Sequence, residues 1–417
     1  MKKVILFGAS NCGIEFYRKY KNKLDIIAFC DNSETKVNTK LEGITIISPN
    51  ELVNYPQCSI IITSIYYVEI KKQLLDMNIN NHICLCYEVY EYEENKDLIP
   101  NVKEQVRNLY IKKKSSHLKD TYNIYTDNSG KEKDEHTIFI GMPVYNGERY
   151  IKYAIESIIK QTYRNWKLFI SDNNSTDATY EICKQYEKQD TRIKVIRQNI
   201  NIGMVRNFEY VLDKADTKYF LWSSHDDIWN KNFLLKNLNN LKFNNSAMSV
   251  GNSVIIDSFN RITYSYESYK RFQLENKKKQ IEKFLIDPEV NGKANIFYSL
   301  FNLELCRDMF KNIFTGDEFT WGEDNAFIYA CILRTKLVVQ DEVLLYKRSV
   351  NDMDVKEKIN KIVIDDSERL IFPFENAYEY VDKFLNASIG TPYFDLTYEI
   401  MFKRIDKYYS RVDFLFT

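Results

Sequence analysis

Short apolar segments alternate with helix-period segments along two long stretches of this chain, and this alternation limits its fold more than any other feature. Over residues 1–95 the apolar runs read KVILFGA, DIIAFCD, GITIIS, CSIIITS and HICLCYE, and the helical patterns among them read IEFYRKYK and VEIKKQLLDMN. Strands that alternate with helices favour parallel βαβ units, in which helices cover both faces of one sheet. The first 95 residues are therefore predicted to form an α/β domain around a parallel sheet.

A second series of the same kind begins at Thr137. Its predicted elements are, in order, strand TIFIGMPVYN, helix ERYIKYAIESIIKQT, strand WKLFISD, helix TDATYEICKQYEKQ, strand IKVIRQ, helix MVRNFEYVLDKA and strand YFLWSS. The residues between the two series are charged and lack an apolar period, which is typical of a linker. Beyond residue 350 the segments are amphipathic and helical. A chain of 417 residues exceeds one usual hydrophobic core, so we predict domains at 1–95 and 136–350, a linker at 96–135 and a helical C-terminal extension at 351–417.

The composition narrows the classes of partner. Lys plus Arg equals Asp plus Glu at 58 residues each, so the chain has no general attraction for nucleic acid, and any phosphate binding must be local. The eight cysteines form no CxxC pair and are expected to be reduced, and the four histidines form no HExxH motif. No signal peptide and no apolar run of membrane-spanning length is apparent. We therefore expect a cytoplasmic location, with peripheral contact at the inner face of the cell membrane left open.

Polar segments follow four strands of the second series. They read MPVYNGE, SDNNSTD, QNINIG and SSHDD. In open α/β sheets, ligands bind at the carboxyl ends of the strands, so these segments are the candidate site. Asp172, Asn173, Asn174 and Asp177 offer short polar side chains that can bind hydroxyl and ring N–H groups, and Gly203 allows a backbone to approach a ligand closely.

Two adjacent carboxylates, Asp226 and Asp227, follow the strand that ends at Trp222. Neighbouring anions repel, so either they lie in a solvated turn or a positive group holds them. Carboxylate oxygens suit Mg²⁺ or Mn²⁺, which proteins usually hold with one or two carboxylates together with substrate phosphates. This pattern predicts a nucleoside diphosphate bound through a divalent ion.

The ordered motifs together resemble a known family. The segments MPVYNGERYIKYAIESIIKQTYRNWKLFISDNNSTDAT, RQNINIGMVRNFEYVLDKA and SSHDD are similar to the opening half of the family 2 glycosyltransferases, which have the GT-A fold. A weaker similarity continues through NIFYSLFNLELCRDMF and WGEDNAFIYACIL, so that the resemblance covers residues 137–350, about half of the chain. Any one of these motifs alone would be weak evidence.

The resemblance implies a role for each matching residue. Those implied to bind the nucleotide sugar are Pro143, Tyr145, Asn146, Glu148, Asp172, Asn173, Asn201, Gly203, Arg206 and Asp226. Asp172 would recognise the base, Asp226 would lie near the ribose and sugar, and Asp227 would contact the metal together with Asp226. Asn173 and His225 occupy positions at which many relatives carry Asp.

The implied reaction is inverting sugar transfer, in which an acceptor hydroxyl attacks the anomeric carbon and a carboxylate takes its proton. Glu323 and Asp324 in TWGEDNAF are the candidate bases, because they begin a predicted helix whose dipole favours an ionised carboxylate. Neighbours on a helix point about 100° apart, so only one of them can face the sugar, and we favour Asp324. The alternative is that either residue only caps the helix.

The first domain resembles the Rossmann-like domains found beside sugar-modifying enzymes. In FGASNCG, Gly8 and Gly13 fit the fingerprint G-x-G-x-x-G, but Ser10 replaces the middle glycine that lets a backbone approach a pyrophosphate. Asp31 ends the second strand, as a ribose-binding acid would. Nothing there offers a hydride-transfer site, so NAD(P) is not expected, and we interpret the domain as a ligand-binding or docking module.

These observations predict an inverting, metal-dependent glycosyltransferase of bacterial surface polysaccharide (capsule or lipopolysaccharide) biosynthesis. Its cofactor would be Mn²⁺ or Mg²⁺, its donor a nucleoside diphosphate sugar, and its acceptor a glycan or a lipid-linked glycan. One alternative is an NAD(P)-dependent sugar oxidoreductase or epimerase that uses the first domain. Another is a sugar-nucleotide-binding protein without activity. The sequence identifies neither the donor sugar and base nor the acceptor, and it leaves the oligomeric state open.

Overall fold

The computed structural model describes residues 1–64, 67–79, 83–85, 89, 99–116, 122–127, 136–287, 291–316, 318–320, 322–349 and 377–413. The chain divides into two compact units. The first consists mainly of Met1–Arg107, and the second consists mainly of Asn108–Val355 with Tyr378–Met401.

The first unit is built on a sheet of six strands among its described residues. They are β1 (Lys3–Phe7), β2 (Asp25–Cys30), β3 (Lys40–Leu41), β4 (Ile44–Ile47), β5 (Ser59–Ile62) and β6 (Ile83–Leu85), in the spatial order β3-β4-β2-β1-β5-β6. Every neighbouring pair is parallel except the hairpin of β3 and β4. Val4 and Leu6 of β1 belong to one buried cluster, and Ile5 and Phe7 belong to another, so both faces of the sheet are covered. The predicted α/β fold of this unit is confirmed.

Helices in this part of the chain are α1 (Asn11–Tyr20), α2 (Tyr67–Asp76) and α3 (Ile99–Ser116). The third lies within the predicted linker 96–135. The linker residues 117–121 and 128–135 lie outside the described part of the chain. The domain boundaries therefore stay predictions.

The second unit contains a sheet of nine strands among its described residues. They are β7 (Ile138–Val144), β8 (Trp166–Asp172), β9 (Ile193–Arg197), β10 (Tyr219–Trp222), β11 (Ile228–Trp229), β12 (Met248–Ile256), β13 (Ile262–Ser265), β14 (Leu300–Asn302) and β15 (Leu337–Arg348). Their order is β11-β15-β12-β14-β10-β7-β8-β9, and β13 pairs with β12. The four strands predicted from the sequence, β7 to β10, are parallel neighbours. The antiparallel pairs β10–β14 and β11–β15 were not predicted.

Helices follow the strands of this second series. They are α4 (Ile151–Ile159), α5 (Thr179–Gln189), α6 (Met204–Asp213), α7 (Phe233–Asn244), α8 (Lys277–Ile286), α9 (Leu303–Ile313), α10 (Glu323–Arg334), α11 (Ala377–Ser388) and α12 (Phe394–Asp413). Ile151, Ala154, Ile155 and Ile158 of α4 are buried, as their spacing of three and four residues predicts. The predicted helices between residues 350 and 376 lie outside the described residues, whereas α11 and α12 confirm helical structure nearer the C-terminus. Among the described helices, none combines the length and the apolarity that crossing a bilayer requires.

Candidate active site

The carboxyl ends of four neighbouring strands meet at one edge of the second sheet. Val144 of β7 lies opposite Asp172 of β8, and Asp172 lies opposite Arg197 of β9. On the other side of β7, Trp222 of β10 lies opposite Gly141. The four polar segments that follow these strands therefore converge, as the sequence predicts.

Two adjoining cavities lie at this edge. The strand-end cavity has a volume of about 480 Å³ and is lined by Pro143, Val144, Tyr145, Asn173, Asn201, Met204, Asn207, Phe208, Ser224, His225 and Tyr298. The aromatic cavity has a volume of about 350 Å³ and is lined by Met204, Val205, Phe208, Ala294, Asn295, Phe297, Tyr298, Phe310, Phe314, Phe319, Asp324 and Lys347. Because Met204, Phe208 and Tyr298 line both, the two cavities share a wall.

Only some of the residues predicted to bind a nucleotide sugar line the strand-end cavity. Those that line it are Pro143, Tyr145, Asn173 and Asn201. Those that line neither cavity are Asn146, Glu148, Asp172, Gly203, Arg206 and Asp226. The sequence reasoning missed Tyr298, Phe208 and Lys347: the first two lie in segments that resemble the family but were given no role, and Lys347 lies outside those segments.

The turn after β7 is braced by the loop after β8. Asn146 has a φ of +51°, its backbone N–H donates to Ser175 Oγ at 2.9 Å, and its Oδ1 accepts from the N–H of Thr176 at 2.9 Å. Glu148 Oε2 accepts from the N–H of Ala178 at 2.9 Å, and Asp177 Oδ2 accepts from the N–H of Glu148 at 3.1 Å. Asn146 and Glu148, predicted to bind the donor, therefore use these side-chain oxygens to fix the turn that carries Tyr145.

Asn173 joins β8 to the loop that precedes α6. Its Nδ2 donates to Asn201 Oδ1 at 2.9 Å and to the carbonyl oxygen of Gly203 at 3.1 Å, and its Oδ1 accepts from the N–H of Ile202 at 2.9 Å. Gly203 has a φ of +86°, a conformation that favours glycine. An aspartate side chain at position 173 would have no N–H to donate to these two acceptors.

The change Asn173→Asp is expected to destabilise the second unit by about 2 kcal/mol, because it removes two hydrogen bonds and brings a carboxylate against two acceptor oxygens. Differential scanning calorimetry would measure the change in melting temperature. Asn174→Asp is the matched control at the neighbouring position and is expected to have little effect. Equal stability of wild-type protein and Asn173→Asp would contradict the structural role given to Asn173.

Asp172, predicted to recognise the base, is fully buried. Its Oδ2 accepts from the N–H of Ser175 at 3.3 Å and lies 3.4 Å from Nε of Arg197, whereas Oδ1 has no hydrogen-bond partner among the described residues. Burial raises the pKa of Asp172, although hydrogen bonds from Ser175 and the charge of Arg197 act in the opposite direction. A buried acceptor without a partner is costly, and an N–H group of a bound base would satisfy it. The role of Asp172 in base recognition stays a prediction.

The positive partner of Asp227 is a lysine. Antiparallel pairing of β11 and β15 sets Ile228 opposite Tyr346, and this register brings Asp227 beside the last two residues of β15. Asp227 Oδ2 accepts from Lys347 Nζ at 3.0 Å, and Oδ1 accepts from the N–H of Arg348 at 2.9 Å. Burial by itself lowers the pKa of Lys347, but the charge of Asp227 and the hydrogen bond to it, together with Tyr298 and the charge of Asp226, outweigh burial, and the pKa is raised. Burial raises the pKa of Asp227, although the charge of Lys347 acts in the opposite direction, and the two groups lie at salt-bridge distance.

These residues do not fit the predicted divalent ion. Asp227 is 1% exposed and both of its oxygens accept hydrogen bonds, so it has no free oxygen for a metal in this structure, and its role as a metal ligand stays a prediction. Asp226 is half-buried, lines neither cavity, and accepts a hydrogen bond from the hydroxyl of Ser224. Within the part of the chain that the structure describes, no group of three or more His, Cys, Asp or Glu side chains could hold a metal.

His225 lies in the strand-end cavity and packs against the turn after β7. A Cβ atom at Gly147 would lie 2.6 Å from His225 Cδ2 and 2.8 Å from Val144 Cγ2. Position 147 must therefore be glycine for the His225 ring to occupy this place, and His225 has a packing role here.

The change Gly147→Ala is expected to displace the His225 ring and to destabilise the second unit by about 1–3 kcal/mol, as overpacking usually does. Thermal unfolding would measure this change. Gly316→Ala, in the same unit, where a Cβ would meet only the carbonyl oxygen of Glu318 at 3.8 Å, controls for the general effect of replacing a glycine. Unchanged stability of Gly147→Ala would refute the contact.

Lys347 and Tyr298 both line the aromatic cavity, and Tyr298 also lines the strand-end cavity. Lys347 Nζ lies 4.1 Å from the centre of the Tyr298 ring, within the range of a cation–π contact. The side chain of Lys347 is 24% exposed. Its ammonium is thus held from two sides, by a carboxylate and by a ring face, and Lys347 is one of the residues that line the aromatic cavity.

The two candidate bases at the start of α10 have different surroundings. Glu323 is 5% exposed, and its carboxylate accepts from the N–H and the hydroxyl of Thr320 at 3.0 and 2.7 Å. It lines neither cavity, so its prediction as the base is corrected: Glu323 stabilises the helix start. Asp324 lines the aromatic cavity, and its Oδ1 accepts from the N–H of Asn325 at 2.7 Å. Asp324 is therefore the carboxylate that can face a sugar.

In the first unit, Asp31 accepts hydrogen bonds from the segments that follow β1 and β2. It accepts from the N–H of Ala9 at 3.0 Å, from the N–H of Ser33 at 2.9 Å and from Lys36 Nζ at 3.1 Å. Lys36 also donates to the carbonyl oxygen of Ala9 at 3.0 Å. A residue with this many partners offers little to a ribose, so the structure gives the NAD(P)-dependent alternative no support.

Two parts of this chain match families of known proteins. Residues 139–303 match the family described as Glycosyl transferase family 2, and residues 1–84 match the family described as C2185-like, N-terminal. An Escherichia coli protein named UDP-Glc:alpha-D-GlcNAc-diphosphoundecaprenol beta-1,3-glucosyltransferase WfgD is 34% identical over 125 residues, which are 30% of this chain and 49% of that protein. Glycosyltransferase GlyG of Streptococcus pneumoniae serotype 4 is 26% identical over 219 residues, which are 51% of this chain and 70% of that protein.

Among solved structures, S. aureus TarS 1-349 in complex with UDP covers 66% of this chain and 90% of its own length, at 17% identity and a TM-score of 0.44. The first curated relative is matched over about half of its length. The match over residues 139–303 includes all four polar strand ends, and it identifies this part of the chain as a family 2 glycosyl transferase domain.

Proposed function

We propose that this chain transfers a sugar from a nucleoside diphosphate sugar to a hydroxyl group of a glycan acceptor. The observation that carries the proposal is the pair of adjoining cavities in a family 2 glycosyl transferase domain, one lined by polar strand ends and the other by the Asp324 carboxylate. A donor with its nucleoside in the strand-end cavity and its sugar beyond Tyr298 would present the anomeric carbon to Asp324.

The strand-end cavity suits a nucleoside. Pro143 and Tyr145 offer apolar surface, and Tyr145 is 45% exposed and so accessible to a flat base. Asp172 lies behind this surface with a carboxylate oxygen that lacks a donor. We propose that the base stacks at Tyr145 and donates an N–H to Asp172 after a small local movement.

The transfer is a single displacement with inversion. The acceptor oxygen attacks the anomeric carbon, the new C–O bond forms as the bond to the diphosphate breaks, and the electron pair of that bond leaves with the diphosphate. Asp324 accepts the proton of the acceptor hydroxyl. Its place at the N-terminus of α10 favours the ionised form that a base needs.

No step of this reaction is assigned to a metal ion. The sequence predicts Mn²⁺ or Mg²⁺, but the predicted ligand Asp227 is committed to Lys347 and Arg348. Charge on the departing diphosphate has to be met by this chain's own groups or by an ion that the diphosphate brings with it.

We further propose an acceptor of bacterial surface polysaccharide, as a glycan or a lipid-linked glycan, and action at the cytoplasmic face of the cell membrane. The support is the name of the E. coli relative, which describes a sugar acceptor on diphosphoundecaprenol. The apolar lining of the aromatic cavity would suit the less polar face of a sugar ring.

The experiment is a donor screen with the purified full chain. UDP-, GDP- and dTDP-sugars would be incubated with and without an extract of lipid-linked glycans, and the released nucleoside diphosphate would be measured by chromatography. One donor is expected to be consumed, and faster with the extract. If the protein neither binds nor consumes any of these donors, with or without Mn²⁺, the proposed function is wrong.

A further inference from the structure

The lining of the two cavities is poor in positive charge. Among the described residues that line them, Lys347 is the one lysine, and there is no arginine. A donor diphosphate carries at least two negative charges and would lie where the cavities meet, beside Tyr298. Lys347 touches that same ring from the aromatic cavity, so its ammonium is the fixed positive group nearest to the expected diphosphate position.

The position of this ammonium is set by the fold. Asp227 holds Lys347 Nζ at 3.0 Å through one oxygen and is itself fixed by the backbone N–H of Arg348 through the other. The ring of Tyr298 covers another side of the ammonium at 4.1 Å. An ammonium has three N–H groups, and the contact with Asp227 uses only one of them. A lysine held in this way loses little side-chain freedom when a phosphate oxygen binds.

The local charge balance allows a diphosphate to bind. Asp226 and Asp227 bring two negative charges, and Lys347 is accompanied by Arg348, whose guanidinium donates to the carbonyl oxygens of Asp226 at 3.0 Å and Asp257 at 2.7 Å. The two basic residues thus offset the two acids. The Asp227 carboxylate is paired directly with Lys347, and the Asp226 carboxylate lies within electrostatic reach of Arg348.

We propose that Lys347, positioned by Asp227 and Tyr298, binds the diphosphate of the donor and takes the place of a divalent ion in donor binding. This inference rests on the proposed function, because it assumes a nucleoside diphosphate in these cavities. Lys347 contacts the ligand, and Asp227 is a positioning residue that acts through it. Lysine serves as a point charge for phosphate oxygens in other protein sites.

The test is isothermal titration calorimetry of UDP, GDP, CDP and dTDP on the full chain, in EDTA and then in excess Mn²⁺. At least one nucleoside diphosphate is expected to bind in EDTA, with a Kd that Mn²⁺ changes by less than about threefold. In EDTA, Lys347→Met is expected to weaken this binding by about tenfold or more, because a charged hydrogen bond is lost. Lys347→Arg keeps the charge and is expected to retain most of the affinity.

A matched control separates ligand binding from stability. Lys218 is 28% exposed and pairs at 2.6 Å with Asp127, whose side chain is 1% exposed, yet Lys218 lines neither cavity. Lys218→Met breaks an equivalent ion pair and is expected to leave nucleotide affinity unchanged. If Lys347→Met does not fold, the double variant Asp227→Asn with Lys347→Met removes both charges together and is titrated in its place.

The outcomes distinguish this inference from the proposed function. Binding that is absent in EDTA and restored by Mn²⁺ would overturn the role of Lys347 and leave sugar transfer intact. Binding in EDTA that Lys347→Met or the double variant does not weaken would also overturn it. If none of the four nucleotides binds under either condition, both the inference and the proposed function fail.

Discussion

Replacing Asp324 with asparagine is expected to lower kcat by about 10²–10⁴-fold, the usual contribution of a general base, while the Kd of the donor stays within about threefold. Asparagine keeps the shape of the side chain and its acceptor oxygen, which can still receive the N–H of Asn325. It cannot take a proton from the acceptor hydroxyl.

The measurement is initial-rate kinetics with the donor found in the screen, together with calorimetric binding of its nucleoside diphosphate. Glu323→Gln is the matched control, because Glu323 is the adjacent carboxylate and only holds Thr320. It is expected to lower the melting temperature and to change kcat by less than about tenfold. A larger loss of kcat in Glu323→Gln than in Asp324→Asn would show that the proton goes to Glu323 instead.

The edge of the sheet on which the site lies could be predicted from the sequence. Parallel strands with crossover helices all end at the same edge, so the periodicity of the segments around Val144, Asp172, Arg197 and Trp222 is enough to bring their following residues together. No knowledge of distant contacts is needed for that step. Asp177, named among the short polar residues that could bind a ligand, accepts from the N–H of Thr179 at 3.0 Å at the start of α5.

Which motif residues face the ligand and which support a neighbouring loop could not be predicted in the same way. Asn146 and Glu148 were assigned to the ligand, but their side-chain oxygens serve the loop at residues 175–178, about 30 positions away in sequence. The sequence signal of a short polar residue is the same whether its side chain binds a ligand or accepts from a neighbouring backbone N–H. Only the packing of two loops decides between these uses.

The partner of Asp227 is a contact across 120 residues, and no local signal reveals it. It depends on β11, a strand of two residues that pairs with the end of β15. The sequence shows two adjacent acids and predicts a positive group beside them, and Lys347 is such a group. The sequence suggested a metal instead, because two nearby carboxylates in a short motif are typical metal ligands. A lysine supplied by a distant strand satisfies the same electrostatic need.

Breaking the ion pair of Asp227 and Lys347 is the second change with a large expected effect. Asp227→Ala is expected to destabilise the second unit by about 3 kcal/mol, near the lower end of the range for breaking a buried pair, because Lys347 keeps about a quarter of its side chain exposed. The variant leaves the Lys347 ammonium without its carboxylate and the N–H of Arg348 without its acceptor. For a unit of this size, the loss corresponds to a melting temperature about 6–12 °C lower in differential scanning calorimetry.

Asp226→Ala is the neighbouring control, and its expected effect is below about 1 kcal/mol, because Asp226 is half-buried and accepts only from the Ser224 hydroxyl through its side chain. Adding Lys347→Met to Asp227→Ala is expected to recover part of the lost stability, since it removes the unpaired charge. Such a recovery would show that the stability lost in Asp227→Ala comes from the unpaired charge and not from lost packing. Asp227→Ala with wild-type stability would mean that the carboxylate is not buried against Lys347, and it would restore Asp227 as a candidate metal ligand.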